Sequence, residues 1–237
     1  KKGCHIYGKG LNGFEYKKNI VLNAGNSGTF ARLILGLLVK SPFYIKLVGD
    51  KSLSQRDFER VILPLQEIGA NFKVNIKKTL PLQIIGSAFT NPINYIENRG
   101  SAQCKSTVML AALNSPGKTV IKAKKSRDHT ENIFKYLGIP IVVKKNKNYD
   151  EIKVEGQKIF NCFKYKVPSD PSSCAFFIVL TLLSNNCELK IKNVNVNKSR
   201  IGYIKILNKM GAKIKIKNIK NRYGEKHADI FVKSQKN

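Results

Sequence analysis

The chain has 237 residues, 42% hydrophobic and 24% charged, with 43 lysines and arginines against 15 aspartates and glutamates and a formal net charge of +28. That length can bury a sizeable core and fills one large or two medium domains, and the lack of any run of about eighteen apolar residues excludes a membrane-spanning helix. Five scattered cysteines without metal-ligand spacing exclude a zinc module or disulfide scaffold and fit a reducing cytoplasm. No metal and no cofactor is expected.

Lys1 to Ile6 carries no initiator methionine and no signal-peptide core, and it reads as the middle of a strand. The end, Val232 to Asn237, is as abrupt, so a fragment is expected. Glycines at 8, 10 and 13 punctuate an extended segment from Cys4 to Phe14. A small polar entry, Asn26, Ser27, Gly28 and Thr29, then leads into an apolar helix ending near Val39. A strand is predicted over Phe43–Val48. An amphipathic helix over Ser54–Ile68 places Phe58, Val61, Ile62, Leu65 and Ile68 on one side and stops at Gly69. Strands at Asn71–Ile76 and Leu82–Ile85 close this unit.

The second unit opens with a strand at Ile93–Ile96 and a helix entered through Gly100, Ser101, Ala102 and Gln103, with an apolar body from Val108 to Leu113. Helix starts of this kind leave N–H groups uncovered and can hold a phosphate or carboxylate. The blander reading is a core helix capped by a serine. A strand at Thr119–Ala123, a helix over Arg127–Leu137 and strands at Ile139–Lys144 and Glu151–Val154 follow. The third unit has a strand at Lys164–Val167, an apolar helix started by Asp170 and Pro171, a strand at Glu188–Val194, a helix over Ser199–Met210 and strands at Ala212–Ile219 and Asp229–Lys233.

Three copies of strand, buried helix, strand, amphipathic helix, strand, strand are therefore expected. Arg56, Arg127 and Arg200 open the second helix of each copy, 71 and 73 residues apart, and Gly69, Gly138 and Gly211 end it. The pattern gives an α/β (α+β) fold of βαβαββ units, with sheets wrapped around buried helices.

All but seven of the cationic residues are lysines, and many alternate with apolar residues, as at Lys213, Lys215 and Lys217. That is the wet face of half-buried strands. Neither an aromatic-studded RNA motif nor a zinc finger accompanies the charge, so an anionic small substrate accounts for it better than nucleic acid.

In order along the chain stand Asn26-Ser-Gly-Thr29 with Arg32, Arg56 before an amphipathic helix, Ser101-Ala-Gln-Cys-Lys-Ser106, Ser126-Arg-Asp-His-Thr-Glu131 and Asp170-Pro-Ser-Ser173. Together these motifs resemble the 5-enolpyruvylshikimate-3-phosphate synthase family over essentially the whole chain. The resemblance implies two domains, each an inside-out α/β barrel of three units, with residues 1–163 forming two units of one domain and 164–237 the first unit of the other. It implies transfer of the enolpyruvyl group of phosphoenolpyruvate to the 5-hydroxyl of shikimate 3-phosphate, in the shikimate pathway. Residues matching Asn26, Gly28, Arg56 and Gln103 would bind phosphoenolpyruvate, and those matching Ser101, Ala102, Gln103, Ser126 and Arg127 would bind shikimate 3-phosphate. The partners expected are these two small molecules, with no nucleic acid and no membrane, and a monomer for the full-length protein.

The family's early lysine-serine pair and arginine would precede Lys1, and its catalytic aspartate, lysine-glutamate pair and later arginines would follow Asn237. No catalytic residue is assigned in this chain, and the chain alone is expected to show no turnover. Arg200 receives no ligand, Lys105 could reach a cleft or be solvated, and His129 and Asp170 are expected to serve structure, Asp170 as an N-cap. His5 and His227 are read as incidental. A UDP-N-acetylglucosamine enolpyruvyl transferase shares the expected fold but would show a glycine-flanked cysteine loop, whereas Cys104 lies in a helix start. A non-catalytic nucleic-acid-binding relative of the same fold, or an inactive paralogue, is the alternative from another class.

Overall fold

The computed structural model describes residues 6–11 and 13–234. The first unit runs β1 (Val21–Asn23), α1 (Gly28–Leu37), β2 (Ile45–Val48), a short 3-10 turn (Leu53–Gln55), α2 (Glu59–Ile68), β3 (Asn71–Lys73) and β4 (Leu82–Ile85). The second runs β5 (Asn94–Glu97), α3 (Ala102–Ala112), β6 (Lys118–Lys124), α4 (His129–Tyr136), β7 (Ile141–Lys145) and β8 (Tyr149–Glu155). The third runs α5 (Pro171–Leu183), β9 (Glu188–Asn195), α6 (Gly202–Lys209), β10 (Lys213–Arg222) and β11 (Glu225–Lys233).

The sheets carry the repeat in their topology. The first has the order β1-β2-β4-β3 and the second β5-β6-β8-β7, each with one parallel pair followed by two antiparallel ones. The third sheet, β10-β11-β9, is the same arrangement without its first strand. The strand expected at Lys164–Val167 is not formed there, and only Ser169 makes a parallel bridge, to Val194. Pro168, between that segment and the bridge at Ser169, has no N–H to donate, so a continuous ladder cannot run from one into the other. The three sheets are separate and none closes into a barrel. The extended segment expected from Cys4 to Phe14 begins outside the described residues and forms no strand within them.

The chain folds into two compact units. One comprises the described residues up to Ser126 together with Leu137–Cys162, the other Arg127–Tyr136 together with the described residues from Phe163 onward. In the former, α1 packs against α3 so closely that a Cβ on Gly36 would overlap the Thr107 carbonyl oxygen. Val108, Met109, Ala111 and Ala112 of α3 are buried, as are Ala31 and Leu35 of α1. In the latter, Cys174 and Ile178 of α5 join Val194, Ile204, Ile214, Ile230 and Val232 in one apolar core.

The expectation that all three apolar helices are buried fails for α5, where Phe176, Phe177, Leu180 and Leu183 are 60% exposed or more. The reason is composition of the unit. Two such helices bury one another in the first compact unit, whereas α5 is covered on one side only, by its sheet and by Ile204 of α6.

Candidate functional site

The start of α1 gathers most of the residues singled out in the sequence. Ser27 caps the helix, its hydroxyl oxygen accepting from the Phe30 N–H at 3.1 Å. Gly28 follows, and a Cβ there would lie 3.0 Å from Arg56 Nη1 and 3.1 Å from Arg32 Nη1. Two guanidinium groups thus converge on a bare stretch of backbone at the positive end of a helix. Burial lowers the Arg32 pKa most, and repulsion from Arg56 and Arg60 pushes it the same way. An anion seated there would screen the repulsion and offset the cost of burial.

Local sequence explains how Arg56 reaches this place. A continuous helix over Ser54–Ile68 is expected from the apolar spacing, yet the chain makes a 3-10 turn and leaves Arg56 extended, at φ −82 and ψ 141. Asp50 sets the break, because its Oδ1 accepts from the Leu53 N–H at 2.7 Å and its Oδ2 from Asn26 Nδ2 at 2.5 Å. These bonds, that from Leu53 first, hold the Asp50 carboxyl below the ordinary carboxylate range. Asp57, one residue before the N-cap Phe58, then accepts from the Glu59 N–H at 2.6 Å as α2 begins. Asn26 therefore ties the entry of α1 to the turn that presents Arg56.

From α3, Gln103 reaches the same spot. Its Oε1 accepts from Arg32 Nη1 at 2.7 Å and its Nε2 donates to Thr29 Oγ1 at 2.7 Å. Arg32 also lies over the Phe58 ring, 5.2 Å from its centroid. Asn26, Gly28, Arg56 and Gln103 are thus brought together. Arg32 completes the group, although sequence reasoning gave it no ligand-binding role. The signal for it was the arginine one helical turn into α1, on the face of Gly28.

Ser101 is the N-cap of α3, its Oγ accepting from the Cys104 N–H at 3.3 Å, and Ala102 is the first helical residue. The Ser101 N–H donates to Glu97 Oε2 at 2.8 Å, and Glu97, 3% exposed, is paired with Arg60 at 2.7 Å. Ser126 Oγ is buried and has no hydrogen-bond partner among the described residues. Arg127 is exposed and belongs to the second compact unit. Lys105 is 1% exposed, which rules out the solvated reading.

In the second unit, Asp170 caps α5 as expected, accepting from the Ser173 N–H at 2.8 Å. Arg200 Nη2 donates to Asp170 Oδ1 at 2.7 Å and to Ser172 Oγ at 2.8 Å. His129 lies between Glu225 Oε1, 2.6 Å from its Nδ1, and Arg200 Nη1, 3.5 Å from its Nε2. Glu225 is buried and also accepts from the side-chain amides of Asn132, Asn195 and Asn197. Both imidazole nitrogens face fixed partners, a structural arrangement. His5 lies outside the described residues, and His227, read as incidental, is 2% exposed. Among the described residues no group of three or more His, Cys, Asp or Glu side chains could hold a metal ion, and no helix is long and apolar enough to cross a membrane.

The EPSP synthase (3-phosphoshikimate 1-carboxyvinyltransferase) family model matches residues 1–235. A 3-phosphoshikimate 1-carboxyvinyltransferase of Syntrophomonas wolfei is 41% identical over 228 residues, covering 96% of this chain and 52% of that protein. One of Ruthia magnifica is 44% identical over 231 residues, covering 97% and 52%. The solved EPSP synthase of Acinetobacter baumannii superposes with a TM-score of 0.78 at 36% identity, over 91% of this chain and 48% of that one. The chain spans about half the length of the curated relatives it matches. With its motifs in register from the first repeat to the third and its fold shared with a solved member, the chain belongs to the EPSP synthase family.

Proposed function

We propose that this chain provides substrate-binding parts for transfer of the enolpyruvyl group from phosphoenolpyruvate to the 5-hydroxyl of shikimate 3-phosphate. The observation that carries the reading is the convergence of Arg32 and Arg56 on Gly28 at the start of α1. Phosphoenolpyruvate offers a phosphate and a carboxylate, and two planar guanidinium forks at an open helix end suit both. In the reaction the 5-hydroxyl gives up its proton and its oxygen bonds to C2 of phosphoenolpyruvate, while the C2=C3 π bond opens and C3 takes a proton. The resulting tetrahedral intermediate then loses a proton from C3 and expels phosphate, leaving the enol ether. The two arginines would neutralise the phosphate as it departs.

Gln103 would touch both substrates, held in position by Thr29 and Arg32. Ser101, Ala102, Ser126 and Arg127 would serve shikimate 3-phosphate, and the unpartnered Ser126 hydroxyl supports that role. No residue of the chain is given the proton transfers. The repeated sheet order supports reading residues 1–163 as two βαβαββ units of one domain and 164–237 as the first unit of another.

Titration calorimetry with both substrates present tests the assignment. Arg56→Ala should weaken phosphoenolpyruvate binding about 30- to 100-fold, the size of a lost charge-assisted contact, and leave shikimate 3-phosphate within about twofold. Gln103→Ala should weaken both. Loss of shikimate 3-phosphate alone on replacing Arg56 would contradict the assignment.

A further inference from the structure

The third sheet contains a cavity of about 410 Å³ that the substrate-binding reading does not use. It lies where both ladders are irregular, at the bulge between Lys217 and Lys220 on β10 and that between Ala228 and Ile230 on β11. Bulges open space between strands and re-aim side chains, and they recur beside binding sites. Two lining asparagines, Asn193 and Asn218, hold left-handed backbone at φ 53 and φ 55. Asp229 fixes both, accepting from the Asn193 N–H at 3.1 Å and from Asn218 Nδ2 at 3.0 Å. Non-glycine residues in that region persist only when their surroundings hold them there.

The charge around this cavity is one-sided. Lys166, Lys192, Lys220 and Arg222 line it, from β9, β10 and the segment before α5, and none of the four makes an ion pair among the described residues. The one lining carboxylate, Asp229, is already engaged by the two asparagines and lies 3.8 Å from Lys190. His227 lines the cavity from β11. Its Nδ1 faces Asn193 Oδ1 at 3.2 Å, while its Nε2 is buried with no partner. A buried polar atom left unpaired in a native fold calls for an explanation, and a ligand supplying the missing partner is one. Concave walls of one sign also concentrate the field of their charges.

We propose that this cavity is a second anion site, which binds a small phosphorylated ligand carrying at least two negative charges. Four cations against the single carboxylate of Asp229, which also acts on Lys192, match such a charge, and the volume falls in the range of small-molecule pockets. Asn193 and Asn218 turn the backbone around it, and His227 Nε2 gains its partner from the ligand, accepting from a ligand hydroxyl or, once protonated, donating to an anionic oxygen. The lining contains no Phe, Tyr or Trp on which a base could stack, which disfavours single-stranded nucleic acid as the occupant.

Pyrophosphate is the probe, titrated at constant ionic strength into the Arg56→Ala chain so that binding at α1 is weakened and the His227 signals report this cavity. Saturable binding is expected, with the imidazole NMR signals of His227 moving along the same isotherm. Lys192→Gln/Arg222→Gln should raise Kd about tenfold or more, whereas Lys118→Gln/Lys124→Gln, on exposed positions of β6, should change it less than about twofold. The glutamines remove the charge while keeping a polar side chain, and an unchanged unfolding midpoint for each variant separates lost binding from lost folding. A shift that never saturates, an unmoved His227, or equal weakening by the two double variants would overturn the proposal, the last because it would reduce the effect to net charge.

Discussion

The starts of α1 and α5 are the same device with opposite outcomes. Each is a short polar entry into an apolar helix, and each meets an arginine from the later part of its own repeat, Arg56 in one and Arg200 in the other. At α1 the cap is Ser27, a neutral hydroxyl, and Arg56 and Arg32 face Gly28 without an ion pair among the described residues, feeling Asp50 and Asp57 only at longer range. At α5 the cap is Asp170, which takes Arg200 for itself, with Ser172 as second acceptor. One residue at the N-cap therefore separates a helix start that two arginines face unpaired from one whose cap binds the arginine itself. Helix dipole and repeated arginine are common to both, so neither alone makes a binding site.

Exchanging the caps should break the difference. Ser27→Asp keeps an N-cap but puts a carboxylate beside Arg32 and Arg56, and phosphoenolpyruvate affinity should fall about 100-fold with little loss of stability. Calorimetry and a urea midpoint would check the two halves of that statement. Gly28→Ala is milder. Its Cβ would press on the flexible ends of two arginines, and about a tenfold loss of affinity is expected, again by calorimetry.

The reciprocal change, Asp170→Ser, keeps the cap of α5 and releases Arg200. Weak binding of inorganic phosphate, with Kd of about millimolar order, should appear at a place where the parent chain has none, seen as shifts of Ser172 and Ser173 amides. Arg200→Ala should leave both substrates bound as before and lower the stability of the second unit by about 1 kcal/mol, since the Asp170 side chain is 47% exposed.

The smallest effect is in pH. Burial works to raise the Asp170 pKa, but hydrogen bonds from Ser173 and Arg200 outweigh it and hold the carboxyl below its ordinary value. A carboxylate depressed by folding contributes fully above its unfolded value, about 3.9, and loses that contribution as pH falls through the folded value. Urea midpoints of the second unit should therefore fall more steeply below about pH 4 in the parent chain than in Asp170→Ser.

Much of this was legible in the sequence. The caps at Ser101 and Asp170, the glycines ending the helices and the repeat of arginines are local features, and local chemistry fixes them. Asn26, Gly28, Arg56 and Gln103 were legible because the motifs that carry them resemble a known family. What was hidden depends on contacts distant in sequence. The hold that Gln103 has on Arg32 is delivered by α3 across 71 residues. The break before α2 follows from Asp50, whose reach to Leu53 outweighs the apolar spacing. The exposure of α5 could not be read from its composition, since an apolar helix is buried only where something packs against both sides. His227 looked incidental because its neighbours are set by two strand irregularities that no pattern announces.

The most direct test is a crystal structure of the chain grown with phosphoenolpyruvate and shikimate 3-phosphate. An anionic group of phosphoenolpyruvate should lie over Gly28 within hydrogen-bonding distance of both Arg32 and Arg56, with Arg200 still on Asp170. Phosphoenolpyruvate seated elsewhere, with the two arginines unoccupied over Gly28, would contradict the assignment of α1 as the open end.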